Sequence, residues 1–276
     1  MNPYARHASN PAAMVGSLFR NWQLILQMTK RDVITRYRGS LIGLAWSFFN
    51  PLLMLMVYTF VFSTIFNARW GVEQENSRAG FAAILFVGVI VHGFLAECII
   101  KAPGLILNNV SYVKRVVFPL EILPWIAVGS ALFHAAVSFV VLLMAQLLLG
   151  HGIHATALYL PLVILPLLMV AVGFGWIIAS LSVYVRDIGM ITGVFATALM
   201  FLSPVFYPLS SLPKEFHWLA MINPLTFMIE ESRKVLIFSM SPDWAGLGLY
   251  TLAALLFAWL GFWCFQRARN GFADVI

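Results

Sequence analysis

The chain is 276 residues long, 61% hydrophobic and only 10% charged, with a mean hydropathy of +0.89. A soluble domain of this length fills its core without such an excess, and the net charge of +6 lies beside apolar runs, a membrane pattern rather than a nucleic-acid face. Cys98 and Cys264 both sit inside apolar runs, which excludes a disulfide framework and a cysteine metal site.

In chain order, the first predicted element is an amphipathic helix over 14–30. Leu18, Phe19, Trp22, Ile25 and Leu26 share one helical face, while Arg20, Asn21, Gln23, Gln27 and Lys30 occupy much of the other. Such a helix lies in the membrane interface. Leu24 and Met28 interrupt the polar side and leave room for a protein partner. No short apolar core followed by a small-residue cleavage site is present, so the segment is not read as a signal peptide. Arg31, Arg36 and Arg38 follow, directly before an uncharged run. At that level arginines contact lipid headgroups and fix orientation. A sharper alternative is contact with an anionic, lipid-linked substrate.

Crossing the hydrocarbon core takes about 20 apolar residues as a helix. Six segments qualify: 41–66, 81–100, 116–149, 156–184, 188–207 and 244–265. The third and fourth exceed the need and must tilt, kink or overrun the surface. Lys and Arg concentrate before the first span and after the second, fourth and sixth. That bias predicts both termini in the cytoplasm. Gly39 and Gly43, and again Gly189 and Gly193, have the spacing that permits close helix approach. Glu97 is placed to pair with Lys101 at i,i+4, and Glu121 to make an ion pair or a helix-start contact. His151 and His154 lack a third ligand nearby and read as a capping turn.

The stretch 208–242 is too polar to span and too apolar for a free loop. Apolar pieces at 216–222 and 225–229 flank Asn223-Pro224. They predict two short helices broken at the proline and half-embedded at the outer face. Glu230 with Arg233 or Lys234, and Glu231 with Lys234, have the spacing of ordinary helix-surface pairs.

Catalytic motifs are sparse. The sequence contains no G-x-x-x-x-G-K-[ST], no H-E-x-x-H and no C-x-x-C. A membrane-embedded enzyme would need acidic or histidine clusters at the surface, and none is visible. A pure scaffold is disfavoured by the broken segment at 208–242, since such segments line cavities. Aromatics crowd the first span, among them Trp46, Phe49, Tyr58 and Phe62, and the outer end of the fifth, with Phe201, Phe206 and Tyr207. They serve either as lipid-facing packing or as a stacking track for the apolar faces of sugar rings.

Three blocks, RDVITRYRGSLIGLAWSFFNPLL, VKRVVFPLEILPW and SPVFYPLSSLPKEFHWLAMINPLT, resemble the permease subunit of ABC-2 type polysaccharide exporters of O-antigen, capsule and teichoic acid. The likeness runs from the amphipathic helix to the sixth span. It implies an all-α membrane protein forming one transmembrane domain over 1–276, in the bacterial inner membrane. It further implies a homodimer served by two copies of a separate ATPase subunit. ATP and Mg would then be bound by that partner, and no cofactor by this chain. The substrate would be an undecaprenyl-diphosphate-linked glycan, with O-antigen first and capsule, teichoic acid or a smaller lipid or drug as alternatives. On the same resemblance, Arg31, Arg36, Tyr37 and Arg38 stand where the lipid pyrophosphate is admitted. The aromatics named above would line the channel. Asn109, Tyr112, Lys114, Arg115 and Arg186 would face the ATPase. Trp218, Pro224, Glu230 and Glu231 would belong to the outer gate helices.

Overall fold

The computed structural model describes residues 9–61, 78–114, 118–150 and 152–276. Every regular element among the described residues is helical. The expected interface helix is two helices, α1 (Pro11–Arg20) and α2 (Trp22–Arg36). Asn10 caps α1 by accepting from the Ala13 backbone N–H at 2.8 Å, with Pro11 at the first helical position. The break falls at Asn21, whose backbone (φ −105°, ψ 14°) leaves the helical region and whose side chain donates to the Ser17 carbonyl at 2.8 Å. Met14, Ser17, Ile25 and Val33 turn inward and are buried. Val15, Phe19, Trp22 and Leu26 form an adjacent exposed stripe at helical spacing.

Five helical stretches are long and apolar enough to cross a membrane: Gly43–Val61, Gly80–Lys101, Leu120–Leu148, Ala155–Tyr184 and Trp244–Gly271. They correspond to α3 (Trp46–Tyr58), α4 (Arg78–Lys101), α7 (Leu123–Leu148), α8 (Leu160–Tyr184) and α12 (Trp244–Ala268). Two short helices, α5 (Gly104–Leu107) and α6 (Val110–Lys114), follow α4. The fifth expected span, 188–207, is helical only as α9 (Ile188–Leu202). Pro204 explains the stop, because the residue before a proline is driven out of the helical region, and Ser203 sits at ψ 153°. Fifteen residues rise about 22 Å, short of the roughly 30 Å hydrocarbon core.

The GxxxG glycines do not bring helices together. Gly39 (φ +87°) and Gly43 (φ +58°) instead supply the left-handed turn between α2 and α3, with open space where a Cβ would stand. The close approach is elsewhere, between α8 and α12. A Cβ on Gly261 would lie 2.7 Å from the Gly173 carbonyl oxygen and 3.1 Å from its Cα. Two backbones there meet without side chains between them.

The bundle has two ends. At the first, α2, α5, α6, the start of α7 and the ends of α8 and α12 gather. Tyr184 donates to the Ala268 carbonyl there at 2.7 Å. A knot around Glu121 closes this end. Its Oε2 accepts from Arg269 Nη1 at 2.6 Å, its Oε1 from Ser17 Oγ at 3.4 Å, and its backbone carbonyl from Trp176 Nε1 at 3.0 Å. Arg269 also donates to the Phe118 carbonyl at 3.2 Å. The expected ion pair of Glu121 is therefore made with the C-terminal segment.

At the second end stand α10 (His217–Ile222) and α11 (Pro224–Leu236), broken at Asn223 as the Asn-Pro pair predicts. Asn223 caps α11 by accepting from the Leu225 N–H at 2.9 Å and donates to Ser203 Oγ at 2.9 Å. The expected ion pairs are present, Arg233 with Glu230 at 2.9 Å and Lys234 with Glu231 at 2.6 Å. They are not surface pairs, however. The Arg233 side chain is 0% exposed and that of Glu231 1%. Arg233 Nε donates to the Ile84 carbonyl at 3.0 Å and its Nη2 to the Val205 carbonyl at 3.0 Å, so one guanidinium ties α11 to α4 and to the turn after α9. The second Glu231 oxygen accepts from the Asp243 N–H at 2.8 Å, which anchors the start of α12. Sequence spacing found these pairs and missed their burial, because helical periodicity does not say which neighbours cover a face.

Candidate functional site

The first end holds the densest set of charged groups. Glu97, one turn before the end of α4, is 17% exposed and receives three donors. Arg36 Nη1 lies 2.7 Å from its Oε1, Lys101 Nζ 3.0 Å from the same oxygen, and His134 Nδ1 3.0 Å from Oε2. Lys101 also meets Asp32 Oδ2 at 3.1 Å and Ser130 Oγ at 3.2 Å. The chain Asp32–Lys101–Glu97–Arg36 therefore runs from α2 into α4 and back to the end of α2, with His134 of α7 alongside. Charge-assisted bonds of this kind hold α2 to α4 more firmly than neutral ones.

Arg36 is thus occupied, which the sequence did not reveal; its partner Glu97 is 61 residues away. Tyr37 packs edge-on against His134, centroids 6.0 Å apart, and burial raises its phenol above the ordinary value, keeping it a neutral donor. Arg38 is exposed and makes no ion pair among the described residues. Arg31 donates to the Tyr112 hydroxyl at 3.2 Å, which joins α2 to α6. The four residues expected at the pyrophosphate site therefore share one region but have different partners.

Two cavities flank this network. One, of about 350 Å³, lies between α2, α5 and the start of α7 and is lined by Arg31, Asp32, Lys101, Asn108 and Asn109. The other, of about 210 Å³, lies between α3, α4 and α7 and includes Arg36, Tyr37, Asn50, Phe94, Glu97 and His134. Pro51, on the wall of the second cavity, has no N–H to offer the Ser47 carbonyl one turn back. The cavity wall mixes polar groups with apolar ones such as Met54, Phe86 and Ile90.

The residues expected to face an ATPase cluster at the same end. Tyr112 stacks on Phe118, centroids 4.4 Å apart, and Asn109 donates back to the Leu105 carbonyl at 3.0 Å. Lys114 and Arg186 are exposed. A Cβ on Gly189 would touch Pro103 at 3.7 Å, which puts the start of α9 beside the cap of α5. Arg115 lies outside the described residues. Among the aromatics, Trp46 and Phe49 are exposed on α3, while Tyr58 is half-buried against Phe86. Phe62 lies outside the described residues. Phe201 and Phe206 contact each other at 6.0 Å, and Tyr207 donates to the Phe201 carbonyl at 3.1 Å. Of the gate residues, Trp218 is exposed, Pro224 opens α11, Glu230 is partly exposed and Glu231 is buried. His151 lies outside the described residues, and no group of three metal-ligating side chains occurs among those described.

A bundle of long apolar helices, with charged groups gathered at one end around α2, defines a multi-spanning membrane protein. Residues 23–237 match the signature of the ABC-2 type transporter family, and the chain belongs to that family. It is similar to an O-antigen export system permease protein of Myxococcus xanthus, 24% identical, covering 95% of this chain and 99% of that protein. A permease of the same description from Klebsiella pneumoniae is 22% identical, covering 95% and 97%. A capsule polysaccharide export inner-membrane protein of Neisseria meningitidis is 27% identical over 79% of this chain and 80% of that protein.

Proposed function

We propose that this chain is the membrane-spanning permease of an ATP-driven exporter that carries an undecaprenyl-diphosphate-linked polysaccharide, O-antigen first, out of the cytoplasm. The observation that carries this reading is the near end-to-end similarity to O-antigen permeases, 95% of this chain against 99% of the relative. The capsule relative, matched over 79% of this chain, favours capsular glycan as the second reading. Residues 1–276 act as one transmembrane domain in the inner membrane, with both termini cytoplasmic and α9 as a shortened fifth crossing. α10 and α11 form a re-entrant outer gate, which Trp218, Pro224, Glu230 and Glu231 shape.

Two copies of the chain enclose the path, and two copies of a separate ATPase, which bind ATP and Mg, drive it. The exposed faces of α3 and α9, with Trp46, Phe49, Phe201 and Leu202, suit a surface that meets a second copy or the glycan. Stacking on aromatic rings lets a glycan slide without locking in one register. The Arg31–Tyr112 bond supports α6 as the coupling contact, since it links the interface helix to that loop. Asn109, Lys114, Arg115 and Arg186 would share that surface. Arg36, Tyr37 and Arg38 receive the pyrophosphate, for which bidentate guanidinium chemistry is apt.

The test is purification of the chain from its native membrane in mild detergent, followed by identification of what accompanies it. A stoichiometric ATPase is expected, and in the recovered complex Lys114→Glu lowers substrate-stimulated ATP hydrolysis several-fold. An intact chain that brings no ATPase with it refutes the reading.

A further inference from the structure

We infer that Glu97 is a releasable competitor for Arg36, so that a diphosphate headgroup is taken up by exchange: Arg36 leaves Glu97 for the phosphate. This inference rests on the reading of Arg36 as a headgroup contact. The geometry of Glu97 carries it. Its carboxylate holds three donors, Arg36, Lys101 and His134, all within 2.7–3.0 Å. A buried carboxylate stripped of its sole cation would suffer a severe penalty. Glu97 stripped of Arg36 keeps two donors and suffers little.

The members differ in freedom. The Arg36 side chain is 48% exposed, against 30% for Lys101, 17% for Glu97 and 15% for His134. Arg36 is therefore the partner able to swing away, on a long side chain at the last turn of α2. Lys101 is restrained by Asp32 and Ser130 as well.

His134 strengthens the case. Its Nδ1 lies 3.1 Å from Arg36 Nη1 and within 3.0–3.1 Å of both Glu97 oxygens. One ring nitrogen cannot accept from the guanidinium and donate to the carboxylate at once. The Nε2 atom is buried and has no partner among the described residues, so all the polar bonding of the ring is at Nδ1. While Arg36 is in place, Nδ1 is caught between a donor and an acceptor. Once Arg36 departs, Nδ1–H can serve Glu97 alone. The exchange resolves a conflict that the resting arrangement contains.

There is also somewhere for the phosphate to go. Arg36 lies on the wall of the cavity of about 210 Å³ between α3, α4 and α7, with Tyr37 and Asn50 beside it. That is the volume of roughly seven waters. Arg38, two residues on, is exposed and without an ion pair among the described residues.

The test is equilibrium binding of undecaprenyl diphosphate to the assembled permease–ATPase complex in lipid nanodiscs, read by native mass spectrometry. Glu97→Gln removes the competing charge and keeps the shape. It binds the diphosphate tighter, by about twofold to fivefold, the range for one half-exposed ion pair. Arg36→Gln binds more weakly, and the double variant shows no tightening over Arg36→Gln. Glu97→Asp, which keeps the charge beside Lys101 but draws it back from Arg36, gives the same sign should Glu97→Gln fail to assemble. A purely structural Glu97 predicts weaker binding in these variants. Unchanged or weaker binding with a wild type that binds overturns the exchange alone. A wild-type complex with no affinity for the diphosphate overturns both the exchange and the substrate reading.

Discussion

Replacing Arg233 with Met probes whether α11 is fixed by one buried cation. The guanidinium satisfies two buried carbonyls, Ile84 and Val205, each at 3.0 Å, and pairs with Glu230 at 2.9 Å. Met fills much of the same volume but donates nothing. Each carbonyl left without a donor costs about 1–3 kcal/mol. Glu230 is 32% exposed and can rehydrate, so its contribution is small. Removing a buried charge recovers part of its desolvation penalty, which lowers the sum. The net loss expected is about 2–4 kcal/mol, or a fall of roughly 4–16 °C in the melting temperature of a protein of this size. Differential scanning fluorimetry of the detergent-solubilised protein measures it. Glu230→Gln is the internal control, because it leaves both carbonyl bonds intact and should shift melting by less than a quarter as much. A melting temperature unchanged in Arg233→Met, or an equal fall in Glu230→Gln, refutes the argument that the carbonyls dominate.

Two further outcomes follow from the packing. Gly261→Ala puts a methyl 2.7 Å from the Gly173 carbonyl oxygen and costs about 1–3 kcal/mol by overpacking; Gly193→Ala, with nothing within 4 Å, should be near neutral in the same melt. Glu121→Gln breaks the 2.6 Å pair with Arg269 and should speed hydrogen exchange in 272–275 and in α1, while exchange in α11 is unchanged.

Much of the helical frame was legible because its signal is coarse. Long uncharged runs need only be counted, and the Asn223-Pro224 break announces itself through a residue that cannot continue a helix. The interface helix was legible in place but not in form. The kink at Asn21 depends on its side chain bonding Ser17, a choice that periodicity does not encode. The length of α9 was overread because hydropathy continues to Tyr207 while Pro204 has already ended the helix.

The candidate site was half legible. Lys101 and Glu97 are one turn apart, so their pairing follows from spacing. Arg36 and Glu97 are 61 residues apart, and His134 and Glu97 are 37 apart. Only the packing of α2 and α7 on α4 unites them. Spacing could not name Arg36, the most exposed partner of Glu97. The GxxxG pairs misled for the same reason: the glycines that let backbones touch, Gly173 and Gly261, are 88 residues apart and form no local motif.

The knot at Glu121 carries a consequence for biogenesis. Ser17 and Glu121 leave the ribosome long before Arg269, which follows Glu121 by 148 residues. Throughout that interval the carboxylate has its early hydroxyl neighbour but not its cation. Only when the final span is seated does the charge find its counterpart. The junction therefore closes last: a chain whose last helix is not yet seated leaves the Glu121 carboxylate without its Arg269 partner, and a finished one does not.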